Sequence, residues 1–144
     1  MKNKGCLVAL LLSAAIAAFL AFAMKRALTP RNLAHEDPRS AFESFVCSPP
    51  PQSVREIKAS GVVAIAGGHA AIEFQLDPTD VEDLLRRGKF RLADEDADEW
   101  IREFQPEGET GNLARYVRIN EGMTETALFI TADLRRAWFH EIQF

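Results

Sequence analysis

Apolar and polar positions divide this chain into two unlike parts. The 19 residues from Cys6 to Met24 carry no charge, and Ser13 is the one clearly polar side chain among them. As a helix rising ~1.5 Å per residue they would reach about 28 Å, close to a bilayer hydrocarbon core of about 30 Å. Lys2 and Lys4 precede the run, and Lys25 and Arg26 close it. The pattern predicts a membrane segment over residues 6–24. It would be either an uncleaved single-span anchor or a signal peptide cut after Ala23, at Ala21-Phe22-Ala23. The run exceeds an export signal's apolar region of about 7–15 residues, and positive charge just past the cut resists transfer. Both features favour the anchor. Lys2, Lys4 and the amino terminus argue for a cytoplasmic start, while Lys25, Arg26, Arg31 and Arg39 argue the reverse. The layout is that of an export signal, so the domain is expected outside the cytoplasm.

Past residue 26 the periodicity changes. Residues 27–52 are expected to be a juxtamembrane linker with a short helix opening at Asp37-Pro38, an N-cap followed by proline at the first helical position. Phe42, Phe45 and Val46 share one side of it. The triproline Pro49-Pro50-Pro51 reads as an extended spacer.

From residue 53 strand patterns dominate. Stretches 54–59, 62–66 and 69–76 are predicted strands, the last two joined by a Gly67-Gly68 turn that tolerates positive φ. In 69–76, Ala70, Ile72, Phe74 and Leu76 alternate with His69, Ala71, Glu73 and Gln75, which describes one buried and one wetter sheet face. Asp77-Pro78-Thr79-Asp80 is expected to start a helix with Val81, Leu84 and Leu85 as its stripe and Gly88 as a C′ cap. A short strand at 90–92, a second helix at 94–104 and strands at 115–120, 124–131 and 136–143 complete the pattern. The expected fold class is therefore α+β over residues 53–144: an antiparallel sheet with two main helices packed on one face, behind the N-terminal transmembrane helix or signal peptide of residues 1–26.

Charge sharpens this division. The first 26 residues hold four cations and no acid, so the formal charge of −4 for the whole chain becomes −8 once they are set aside. An acidic domain with no basic cluster beyond a pair is repelled by nucleic acid, and no nucleic-acid partner is expected. About 118 residues suffice to bury a core without disulfides or metal. The two cysteines make no framework: Cys6 lies in the apolar run and Cys47 before the prolines. Cys47 reads first as a small buried hydrophobe, with intermolecular pairing the alternative.

Candidate chemistry is sparse. No P-loop, nucleophile elbow, HExxH, Rossmann glycine run or CxxC is present, and no cofactor or metal is expected. The low-ranking candidates for ligand binding are His69 and Glu73, on one strand face, with His140 on a later strand. Two histidines and a carboxylate have the donor types of a zinc or hydrolytic site. The acids Asp94, Glu95, Asp96, Asp98 and Glu99 read as the favoured charge at a helix start, because a calcium loop needs a tight glycine turn and a terminal bidentate glutamate. Trp138, His140, Ile142 and Phe144 share one face of the last strand and are expected in the core. Gly5, Ala9, Ser13, Ala17 and Ala21 recur every four residues, a stripe through which two membrane helices could self-associate, although seven alanines in the run produce such a stripe unaided.

These features favour a non-catalytic binding or assembly module of the cell envelope, membrane-tethered or secreted, with an unknown envelope protein or ligand as partner. The alternatives are a small hydrolase or metal-dependent enzyme using His69, Glu73 and His140, and an acidic inhibitor or immunity-type protein.

Overall fold

A computed structural model describes residues 4–64, 67–94, 97, 101–106, 109, 112–118 and 124–144, with side chains from residue 12 onward except 26 and 27. Contacts divide the chain into two units, Met1–Pro30 and Arg31–Phe144.

The first unit is helix α1, Lys4–Leu28. Leucine, alanine, methionine and phenylalanine favour the helix, and Pro30 cannot extend it. The Thr29 hydroxyl donates to the Lys25 carbonyl at 2.7 Å near its end. Leu12, Ile16, Phe19, Leu20, Phe22 and Met24 are all exposed. Among the described residues, no helix is long and apolar enough to cross a membrane.

The second unit is built on β1 (Arg31–Asn32), α2 (Pro38–Phe45), β2 (Arg55–Ala64), β3 (Gly67–Gln75), α3 (Val81–Arg87), β4 (Phe90–Leu92), β5 (Leu113–Arg118), β6 (Thr124–Thr131) and β7 (Arg136–Gln143). Among the described residues seven strands form one sheet in the order β1-β2-β3-β7-β6-β5-β4, every neighbour antiparallel. The β5–β6–β7 meander lays β7 against β3, so the centre of the sheet joins the middle of the sequence to its end.

The expected α+β layout, with two main helices packed on one face, does not occur: the unit is mostly β. Helices α2 and α3 run eight and seven residues. Both add side chains to the core of the first sheet face, where Phe42, Phe45, Val81 and Leu84 meet Ile72, Phe74, Leu128, Ile130 and Phe139. The helix expected at 94–104 falls partly outside the described residues, at 95–96 and 98–100. Of the rest, Ala97 and Ile101 are helical and Arg102–Phe104 is a 3-10 turn. This segment packs Ala97 and Ile101 on the opposite face, against Val117, Ala127, Phe129 and Trp138. The physical reason lies in β6, where Ala127-Leu128-Phe129-Ile130 is a continuous apolar run with both faces to bury. One layer of helices on one face would leave Phe129 in water.

Four local expectations change as well. Residues 55–59 and 62–64 of two expected strands lie in one strand, β2, with a bulge between Arg55 and Lys58 and Glu56 at φ 50. Gly61, inside it, marks a close approach to β3: a Cβ there would lie 2.3 Å from the His69 carbonyl oxygen. Gly67 and Gly68 belong to β3, paired with Ala64 and Val63, and residues 65–66 lie outside the described residues. Gly88 ends α3 at φ −75, and Lys89 takes the left-handed conformation instead, at φ 56. The region 27–52, expected as a linker, supplies β1, α2 and the buried Leu33, Phe42 and Val46 to the sheet unit.

Where the patterns agree, the causes are visible. Asp37 caps α2, its carboxylate accepting from the Ser40 amide at 2.8 Å. Ala70, Ile72, Phe74 and Leu76 are all buried, and the Phe42 and Phe74 rings meet edge to face at 4.9 Å.

Candidate functional site

The second sheet face is covered over β5, β6 and part of β7 by Ala93, Ala97, Ile101 and Phe104, while over β2 and β3 the described residues leave it open. Register builds what is found there. Ser60 pairs with Ala71, and Ala71 with His140, so these three form one row across β2, β3 and β7. On one side runs the row Lys58, Glu73 and Trp138; on the other, Val62, His69 and Ile142. Small side chains between two larger rows make a furrow across the strands. Its hollow of about 470 Å³ is lined by Ser60, Ala71, Glu73, Trp138, His140 and Pro106, among others. A second hollow of about 430 Å³ continues past His140, between His69, Ile142 and Phe104.

One wall of the furrow is a chain of charges. Arg136 donates to Glu73 at 2.9 Å and reaches Glu109 at 3.2 Å, while Lys58 lies 3.6 Å from Glu73. The Arg136 guanidinium also sits 5.0 Å over the Trp138 ring. The hydrogen bond from Arg136 holds the Glu73 carboxyl below its usual range, and the same bond raises Arg136.

The closed end of the furrow is aromatic. His140 lies between Phe104, 6.2 Å away and inclined at 34°, and Phe129, edge-on at 6.3 Å. Burial lowers the proton affinity of His140, and the charge of His69 lowers it further. The imidazole is therefore neutral near pH 7, able to donate from one nitrogen and accept at the other.

The structure thus brings His69, Glu73 and His140 onto one face of neighbouring strands, with His69 and Glu73 on opposite diagonals from His140. The Glu73 carboxylate is engaged by Arg136 and Lys58. Among the described residues no three His, Cys, Asp or Glu side chains lie close enough together to hold a metal ion. The last-strand face expected in the core divides: Trp138 is buried, His140 and Ile142 are half-buried, and Phe144 is exposed. The main core takes Ala137 and Phe139 from the other side.

Two further hollows are already satisfied from within. The larger of the two, about 820 Å³, lies between Pro49, Pro50, Pro51 and the acids Asp77, Asp80 and Asp83. Arg55 engages Asp77 at 3.0 Å, Ser53 donates to Asp80 at 2.7 Å, and Arg86 and Arg87 engage Asp83. The other, about 290 Å³, is lined in part by Arg118 and Cys47, between α2 and Gly88. There Arg118 is occupied by three main-chain carbonyls, and burial pushes the Cys47 thiol up to about 11, which keeps it protonated and unreactive at neutral pH. Asp94 accepts from the Ala97 amide at 3.0 Å and from Arg91 at 2.7 Å, the geometry of a helix cap.

Sequence reasoning missed the furrow's other parts: Ser60, Arg136, Phe104 and Pro106. Ser60 lay at an expected break between strands, and Phe104 on a segment assigned to the wrong face. No family model matches this chain, and no curated protein or solved structure matches it either.

Proposed function

We propose that this chain is a non-catalytic binding module of the cell envelope, held at a membrane by residues 6–24, with its domain outside the cytoplasm. The furrow across β2, β3 and β7 is where it takes its partner. The observation that carries the reading is the uneven covering of the second sheet face by the described residues: Ala93, Ala97, Ile101 and Phe104 pack on one half, and the other half is left as a furrow walled by Trp138, Arg136 and Glu73. Aromatic and arginine side chains around a recess are the groups that dominate binding energy at protein surfaces. The uncharged run of residues 6–24 and the exposed apolar side chains of α1 support the tether. A catalytic reading around His69, Glu73 and His140 has less support, since Glu73 is committed to Arg136 and Lys58.

Photo-crosslinking tests the module. A benzoylphenylalanine in place of Ser60, an exposed position in the furrow, is expected to give a discrete adduct in membranes. The same group in place of Arg39, on the exposed side of α2, is expected to give none. No adduct from Ser60, or equal labelling from both positions, overturns the assignment of the furrow.

A further inference from the structure

We propose that the turn Arg102–Phe104, with Pro106, is an acid-released cover over the His140 end of the furrow. Pro106 lines the hollow on the Ser60 side of His140, and Phe104 lines the hollow on its His69 side. The chain between them therefore passes over the imidazole, with Phe129 beside it on β6. Gln105 tethers this strap, donating to the Glu109 carbonyl at 2.9 Å and accepting from Arg115 at 3.4 Å.

An imidazole enclosed by two phenyl rings is at home there uncharged, because burial penalises the charged form. The surrounding charges do not reverse this. On β3 His140 faces His69 and Glu73, and Glu73 is bonded to Arg136 of β7 and engaged by Lys58 of β2. On β6 the acid nearest in register is Glu125, exposed and paired with Ile142. The cover itself brings Arg102 and Glu103, both exposed. Glu141, the next residue on β7, bonds Thr126 and Gln143. The net effect on His140 is downward, from burial first and His69 second.

The sign of the coupling follows. Under the cover His140 binds a proton less readily than its ordinary value of 6.5; with the cover lifted it is returned to water. The covered state is fully favoured above about pH 6.5, and acid below that value favours the open one. One coupled proton shifts the balance by at most about tenfold per pH unit. Opening would join the two hollows and loosen whatever is seated against the covered furrow, a consequence that rests on the binding reading above.

Amide hydrogen exchange on the full chain in detergent micelles, corrected for intrinsic rates, tests the cover. Between pH 7.5 and 5.5 the amides of residues 101–105 are expected to lose protection several-fold, while those of β6 keep theirs. His140→Gln is expected to abolish this dependence. His69→Gln, at an exposed position, is expected to weaken it, because the repulsion on His140 is removed. Protection at 101–105 that is indifferent to pH, or unchanged pH dependence in His140→Gln, overturns the proposal. If His140→Gln does not fold, unchanged dependence in His69→Gln overturns it instead. The Ser60 cross-link and the exchange at 101–105 fail independently, so a lost gate and a lost binding surface are told apart.

Discussion

Arg118 on β5 donates through Nη1 to the main-chain carbonyl of Phe45 at 2.8 Å, across 73 positions of sequence. Its Nε donates to the Gly88 carbonyl at 2.8 Å, and its Nη2 donates to that of Val46. The Phe90 and Phe139 rings flank the guanidinium at 4.6 and 5.6 Å. Carbonyls at helix ends have no partner within their own helix, and here one side chain serves the ends of both α2 and α3.

Arg118→Leu should therefore destabilise the domain by about 3 kcal/mol or more, since each buried carbonyl left without a donor costs about 1–3 kcal/mol. Urea unfolding measures it. A loss below about 1 kcal/mol would mean that water reaches those carbonyls.

Two glycines separate backbone conflict from side-chain conflict. At Gly61 an added Cβ meets the His69 carbonyl at 2.3 Å with φ at +113, whereas at Gly88 it meets the Phe90 ring at 2.3 Å. A main-chain carbonyl held in the sheet cannot give way, and the positive φ adds strain of about 1–3 kcal/mol. Gly61→Ala should cost more than Gly88→Ala, which is expected to lose about 1–3 kcal/mol as the ring shifts. Equal losses by thermal unfolding would contradict this.

Glu73 links the furrow wall to pH. Its carboxyl is lowered, chiefly by the hydrogen bond from Arg136, so its stabilising effect is present above its ordinary value of 4.5 and is lost as acid titrates the folded form. Both partners are partly exposed, which limits the effect to about 1 kcal/mol. Glu73→Gln should lower stability slightly at pH 7 and flatten its decline below pH 4.5. A mutant with the same acid slope as the parent would show that Glu73 does not contribute.

The proposed tether of residues 6–24 is open to a direct test. Intact mass of the native protein from separated fractions is expected to show the full-length chain in the membrane fraction. A chain lacking residues 1–23 in the soluble fraction would instead establish a secreted domain.

Local chemistry made several elements legible. Asp37-Pro38 opens α2, and the alternation from Ala70 to Leu76 settles which side of β3 is buried. Strands β6 and β7 lie at residues 124–131 and 136–143 as the pattern predicts. His69 and Glu73 share a strand face by alternation alone. That His140 lies in the adjacent row, under Phe104, depends on β7 docking against β3. The glycines misled because a glycine that opens a turn and one that admits a neighbouring backbone are the same letter in sequence. Gly61, Gly67 and Gly68 all stand against a neighbouring main chain.

By itself the sequence determined the uncharged N-terminal run, the acidic balance beyond it and the periodicity of most strands. These are properties of neighbouring residues, set by side-chain spacing and caps. Tertiary structure alone decided that both faces of the sheet need covering, that 31–52 joins the sheet unit, and that Arg118 closes two helices at once. It also decided that a furrow stays open beside Trp138. Each of these depends on which distant strands pair, and pairing is set by the burial of whole faces, a sum over residues that no local window contains.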